Sequence, residues 1–466
     1  MIADEIHYLT VRELGERIKS GKLSPVAITE AYLDRSARIG KRLNAYVTLM
    51  PESALAEARA AEAEIKAGKY RGPLHGIPYA AKDLLAVRGQ PTTWGAKAYG
   101  KQQFDYDAAV VEKLRAAGAV LLGKAATIAL AGGFGYRFAA AALTGPCKTP
   151  WTEKHWAGGS SSGSGAIASA GLAAFALGTE TWGSVVCPAT FCGVSGLRPT
   201  FGRVSRFGCM SLSPTMDKIG VLARSAGDCG VVLAHLAGYD PRDAYTLPDG
   251  DFRGPQAAQD VQLRIGWCVN AFPKKVPAAI ETAVKKAVDT LGANNAIIAE
   301  AALPTGPWDE AAGTIISVEG AAEFTTFLDS GRAALLEDPL EQIGGYAGQL
   351  IPASDYLRAQ QIRAKLQRTI DLLFDRYDVL AAPTFPCPAP PLDANLEEAL
   401  DYPDPLGAIG NMCGLPAISV PCGLTDEKLP LGLLFVGRAL DEHKVLAAAR
   451  RFQERTDWHT LRPPVG

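Results

Sequence analysis

Apolar residues recur along this chain in two rhythms. A return every three or four positions predicts a helix, and a short block between turn residues predicts a buried strand. Thr10-Val11-Arg12-Glu13 has the form of a capping box opening a short helix. Ser24-Pro25 places an N-cap before a proline at the first helical position and opens a second. The Ala/Glu-rich stretch 53–67 stops at Gly68 and predicts a third. Residues 77–81 then predict a short strand, 108–117 a helix and 119–122 a buried strand. The run 158–165 is a Gly/Ser loop, followed by a small apolar helix over 166–174 and a strand near 175–177 that leads into the loop bearing Ser184.

Beyond residue 225 the alternation continues. Strands are expected at 263–269 and 295–299 around a helix at 277–291, and a long helix at 356–377 precedes a strand at 378–382. Residues 417–421 and 431–436 read as paired strands, and 444–454 as a closing helix. Strands alternating with helices predict an α/β fold: one α/β/α layered domain over 1–466, with a mixed, largely parallel central sheet covered by helices. No repeat and no obvious linker interrupts it. The Pro-rich stretch 383–391 reads as a loop wrapping the sheet edge.

Composition narrows the function classes. In 466 residues, 48% are hydrophobic and 21% charged, enough for a large core. The formal charge of −2 comes without a basic run, which argues against a phosphate-seeking nucleic-acid surface. No charge-free apolar stretch reaches the roughly 18 residues of a membrane span. The acidic start Met1-Ile2-Ala3-Asp4-Glu5 lacks the apolar core of a signal peptide. Nine cysteines form no C-x-x-C pair and read as buried free thiols in a reducing cytoplasm.

Three separated segments fit one catalytic machine. Lys82 ends the apolar run of Gly72-Pro73-Leu74-His75-Gly76-Ile77-Pro78-Tyr79-Ala80-Ala81-Lys82-Asp83. Ser160 opens the serines of Gly158-Gly159-Ser160-Ser161-Ser162-Gly163-Ser164-Gly165, and Ser184 follows in Gly178-Thr179-Glu180-Thr181-Trp182-Gly183-Ser184. A serine hydrolase without a histidine needs another base, and a lysine linked through a second serine supplies one. Such a lysine must lose about three units from its usual pKa of about 10.4, or about 4 kcal/mol, which burial provides. Two competing patterns are weaker. Gly159-Ser160-Ser161-Ser162-Gly163 is formally G-x-S-x-G centred on Ser161, but His235, His443 and His459 lack a catalytic context. Gly118 to Ala125 nearly matches a P-loop, but its middle is apolar and strand-like. The six histidines show no metal-binding spacing.

These motifs, with Phe191-Cys192-Gly193-Val194-Ser195-Gly196-Leu197-Arg198-Pro199-Thr200 and Gly414-Leu415-Pro416-Ala417-Ile418-Ser419-Val420-Pro421, resemble the amidase signature hydrolases over most of the chain. The resemblance is densest from Trp156 to Arg224; the core signature spans 72–230, with an N-terminal helical segment of about 1–70 packed on it. It implies Ser184 as nucleophile, Ser160 as a bridging serine after a cis peptide bond, and Lys82 as base. It also implies an oxyanion hole built from the backbone N–H groups of Thr181, Trp182, Gly183 and Ser184. The sequence departs from the family in three places. Trp182 stands where a glycine is usual, Val185-Val186 replaces Ile-Arg, and Ala125-Ala126 replaces Thr-Asn. An arginine able to pair with Glu180 is therefore expected to be absent, and Trp182, Ala125 and Ala126 are expected to meet an apolar substrate.

The resemblance implies a cofactor-free hydrolase, monomeric or homodimeric, cleaving the C–N bond of a small amide, with aryl amides, carbamates and esters as related substrates. It implies neither a nucleic-acid nor a membrane partner. Two alternatives stand beside it. One is the A-type component of a glutamine-dependent amidotransferase, which passes ammonia from glutamine to partner subunits on misacylated transfer RNA. The other is an inactive binding protein on the same fold.

Overall fold

The computed structural model describes residues 4–248, 252, 254, 262–271, 276–292 and 296–465. Eleven strands form one sheet: β1 (Tyr46–Leu49), β2 (Pro78–Lys82), β3 (Val120–Ala125), β4 (Phe175–Glu180), β5 (Ser195–Arg198), β6 (Lys218–Ala223), β7 (Leu263–Cys268), β8 (Ala296–Ala301), β9 (Val379–Pro383), β10 (Ala417–Leu424) and β11 (Pro430–Gly437). Their order is β1-β3-β2-β4-β6-β5-β10-β11-β9-β7-β8. Pairings β2–β3, β2–β4, β7–β8 and β7–β9 are parallel, and the remaining six are antiparallel. The sheet is thus mixed as expected, with antiparallel pairings in the majority. β2, β3, β4, β6 and β11 are buried along their whole length, so they read as continuous apolar blocks without alternation.

The N-terminal helices follow their caps. Thr10 accepts from Glu13 N while Glu13 reaches back to the Thr10 N–H, closing the capping box of helix Val11–Lys19. Ser24 caps helix Pro25–Arg35 through Ala27 N. Helix Pro51–Lys66 ends just before Gly68, whose φ of 78° suits a residue without Cβ. The strand expected from 295 begins at Ala296; Asn295 lies outside the described residues.

One expected loop is shorter than its composition indicates. The Gly/Ser run 158–165 becomes helical at Ser162, and helix Ser162–Ser169 replaces the one expected over 166–174. Its glycines serve close packing rather than flexibility. A Cβ on Gly163 would collide with both Ala126 N and Ala45 O, and one on Gly165 would lie 2.8 Å from Pro188 O. The helix therefore sits tightly on the sheet and delivers the preceding loop, with Ser160, to the ends of β2 and β4. No described helix is long and apolar enough to cross a membrane.

Candidate active site

β2 and β4 are parallel neighbours, so their C-terminal ends emerge at the same edge of the sheet, where open α/β sheets place ligands. Lys82 is the last residue of β2 and fully buried. Its Nζ lies 2.8 Å from Ser160 Oγ and 2.8 Å from Thr179 Oγ1 of β4. The Gly159–Ser160 peptide is cis. Burial pushes the Lys82 pKa down from the usual 10.5 to about 7; Cys209, Asp217 and Glu180 oppose the shift. Burial also pushes the Cys209 thiol up to about 12, so it carries no charge near neutral pH.

β4 runs into the turn carrying Ser184. Exposure rises from 0% at Lys82 and 1% at Ser160 to 9% at Ser184, the most accessible of the three. Among the described residues, Ser184 Oγ makes no hydrogen bond, and its carbonyl accepts from Ser161 N at 3.3 Å. The structure therefore joins Lys82 to Ser160 directly and brings Ser184 beside them through the backbone. Among the described residues, none of the N–H groups of Thr181, Trp182, Gly183 and Ser184 donates to a protein acceptor. Gly183 adopts φ 85° within this turn. Four unspent donors beside an accessible hydroxyl are what a developing oxyanion requires.

Ser161, the centre of the G-x-S-x-G match, is spent differently. Its Oγ donates to Thr179 O at 3.1 Å and accepts from Thr179 N at 3.2 Å, locking the loop to β4.

Two buried carboxylates hold the Ser184 turn. Glu180 Oε2 accepts from Val185 N at 2.8 Å and Val186 N at 3.0 Å, directly after Ser184. The expected absence of an arginine partner is corrected here. Arg198, at the end of β5, donates from Nη1 to Glu180 Oε1 at 2.7 Å. The reason is non-local: β4 and β5 flank β6 on its two sides, so the partner comes from across the sheet. Burial pushes Glu180 up, but Arg198 and Lys218 outweigh it and hold the carboxyl below its usual range. Breaking such a buried pair costs about 3–5 kcal/mol, so Glu180 fixes the turn rigidly. On the other side, Thr181 Oγ1 donates to Asp217 Oδ1 at 2.6 Å, and Asp217 Oδ2 accepts from Leu212 N at 2.7 Å and Ser213 N at 2.9 Å. A cavity of about 290 Å³ opens beside Thr179 and Thr181, walled by Leu84, Met210, Leu212 and Asp217.

Trp182 is half-buried. Its indole packs against a buried apolar cluster that includes Leu406, as Phe385 also does, and its Nε1 donates to Asp404 Oδ2 at 2.9 Å. Burial pushes Asp404 up to about 7 despite that bond. Asp404 also caps helix Pro405–Met412 through Gly407 N, so Trp182 ties the Ser184 turn to that helix. Ala125 and Ala126 are buried at the end of β3. Ala125 O accepts from Asp83 N at 3.0 Å, and Ala126 exchanges backbone bonds with Ala45 and Gly163 at 2.9 Å each. Their contacts lie behind Lys82, between the strands and helix Ser162–Ser169. Arg198, Asp217 and Asp404 escape a local reading because each meets the turn from a distant segment.

Comparison with known proteins fits this geometry. The Amidase family model matches residues 27–446. The chain is 36% identical to the A-type component of glutamyl-tRNA(Gln) amidotransferase from Chloroflexus aggregans, over 99% of both chains. Among solved structures, native peptide amidase from Stenotrophomonas maltophilia superposes with a TM-score of 0.87 at 32% identity, over 98% of both chains. A chain from a vestigial protein complex tied to the origins of an s-triazine catabolic enzyme gives 0.87 at 31% identity, over 96% of this chain and 98% of that one.

Proposed function

The chain belongs to the amidase family, whose hydrolases cleave amide C–N bonds, and on that premise we propose that it hydrolyses a small-molecule amide through an acyl-enzyme on Ser184. The observation that carries this reading is the fully buried Lys82, pushed down to about 7 and in contact with Ser160 Oγ. A lysine in water carries a proton at neutral pH and cannot act as a base; this one is poised to do so.

In the proposed cycle, Ser184 Oγ turns toward Ser160 and gives up its proton as Ser160 passes its own to neutral Lys82. Ser184 Oγ bonds to the amide carbon, and the carbonyl oxygen becomes an oxyanion facing the N–H groups of residues 181–184. The tetrahedral intermediate collapses with cleavage of C–N. The proton returns from Lys82 through Ser160 to the leaving nitrogen. Water then attacks the acyl ester by the same relay and restores Ser184. Thr179 Oγ1 accepts one Nζ–H throughout, which aims the lysine lone pair at Ser160.

A second reading, an amidotransferase component working with partners on transfer RNA, draws support from the 36% identity to such a component. Trp182 weighs against it by placing an indole where the family turn usually has no side chain. The test is a panel of simple amides, carbamates and esters beside glutamine, measuring amine, ammonia or alcohol release by the purified chain. Turnover of apolar amides without glutamine supports the hydrolase. Turnover of glutamine alone, dependent on added partner subunits, would overturn it.

Trp182 is proposed to shape specificity as well as packing. Trp182→Gly should re-rank apolar substrates by size by about 1–3 kcal/mol, or about 5- to 150-fold in kcat/KM. It should also lower the melting temperature, because Asp404 loses a donor. Trp182→Phe, which keeps a ring, should retain the ranking and lose only the stability. Equal losses on every substrate would show that the indole is structural alone.

A further inference from the structure

Two glycines flank the proposed catalytic serines, and each faces an aromatic ring. Gly159 precedes Ser160, and a Cβ on it would meet Trp156 Cζ2 at 2.6 Å and Tyr136 Oη at 3.0 Å. Gly183 precedes Ser184, and a Cβ on it would meet Phe385 Cζ at 3.8 Å.

The rings form one connected series. Tyr136 meets Trp156 edge-on with centroids 6.1 Å apart, Trp156 meets Phe191 at 6.3 Å, Phe191 meets Phe385 at 5.5 Å and Phe385 meets Tyr402 at 6.2 Å. Burial divides the series. Trp156 and Phe191, in the middle, are 1% and 0% exposed. Tyr136, Phe385 and Tyr402 are only partly buried, as is Trp182. The enclosed rings thus support the open ones, two of which lie beside Gly159 and Gly183. The Tyr136 hydroxyl makes no hydrogen bond among the described residues. Rings needed only to fill a core are enclosed, as Trp156 and Phe191 are.

We propose that Tyr136 and Phe385 are specificity-determining walls, and that the substrate is an amide carrying planar apolar groups on both sides of the scissile bond. The assignment rests on the function proposed above. Ser160 returns the proton to the leaving nitrogen, so Tyr136, over Gly159–Ser160, faces the amine portion. Ser184 carries the acyl group, so Phe385, over Gly183, faces the acyl portion. Offset or edge-on contact with these rings favours a flat partner over an aliphatic one.

The experiment uses four substrates that vary the two sides independently: acetamide, benzamide, acetanilide and benzanilide. The wild type should favour the ring-bearing member of each pair in kcat/KM. Phe385→Ala should cut the benzoyl-over-acetyl preference by about 10- to 100-fold and leave the anilide-over-primary-amide preference. Tyr136→Ala should do the reverse, and Tyr136→Phe should keep the ring preference. Preference ratios are read within each variant, so a general loss of fold or activity cancels. Equal losses on all four substrates, or a wild type indifferent to rings, would overturn the assignment. Labelling of wild-type Ser184 by methanesulfonyl fluoride, which carries no ring, separates the two claims. Labelling without ring preference removes this inference and leaves the hydrolase; failure to label removes both.

Discussion

Ser184→Ala should abolish amide turnover, by at least about 10⁴-fold, while leaving the protein folded. The two halves of this expectation have separate grounds. Chemically, the other hydroxyl in the turn, that of Thr181, is tied to Asp217, which leaves Ser184 as the free hydroxyl beside the four unspent N–H groups. Structurally, Ser184 Oγ holds nothing in place: among the described residues it makes no hydrogen bond, and the turn is held instead by Glu180 and Asp217. Removing one oxygen atom at a 9% exposed position should shift stability by under about 1 kcal/mol. The checks are amide hydrolysis followed to the detection limit and a thermal melt beside the wild type. Retained turnover would remove Ser184 as nucleophile.

Lys82→Ala should lower kcat/KM on amides by about 10²- to 10⁴-fold, with smaller losses on activated esters, whose leaving group needs no proton. Wild-type activity should fall as pH drops through about 7, where the lysine–serine set takes up a proton. The apparent pKa belongs to that set rather than to one residue. Stability should also depend on pH. The folded pKa of Lys82, about 7, lies below its usual 10.5, so between these values the unfolded chain holds a proton that the native chain does not. Wild-type stability therefore rises with pH across this window, and the full penalty, about 4–5 kcal/mol, applies below it. A variant without the amine escapes the penalty. Lys82→Met, which also fills the space, should gain about 2–3 kcal/mol at pH 7 after the bonds to Ser160 and Thr179 are lost, and the gain should shrink toward pH 10. Urea unfolding at pH 7 and pH 10 measures both values. Unchanged amide turnover in Lys82→Ala, with the acid limb intact, would make the base assignment wrong.

The sequence and the structure agree most where the signal is local. The capping box at Thr10, the Ser24-Pro25 start and the stop at Gly68 are decided within four residues of each site. Lys82 is legible at the end of an apolar strand because a short buried block shows itself whatever lies beside it. Composition misleads at 158–165, where glycine stands for close packing against Ala126, Ala45 and Pro188, and a helix forms inside the expected loop. The Glu180 partner is hidden for a different reason. A search beside Val185-Val186 finds no arginine, whereas the sheet order carries Arg198 to the site from another strand. Asp217, Asp404, Tyr136 and Phe385 are hidden on the same ground, since no spacing along the chain announces a contact made between distant segments.

The central claim is that Ser184 is the activated hydroxyl and Ser161 a structural one. A fluorophosphonate probe followed by peptide mapping tests it directly. The account predicts a single adduct on Ser184, formed faster above pH 7 than below and lost in Ser184→Ala. An adduct on Ser161, or labelling that persists in Ser184→Ala, would contradict it.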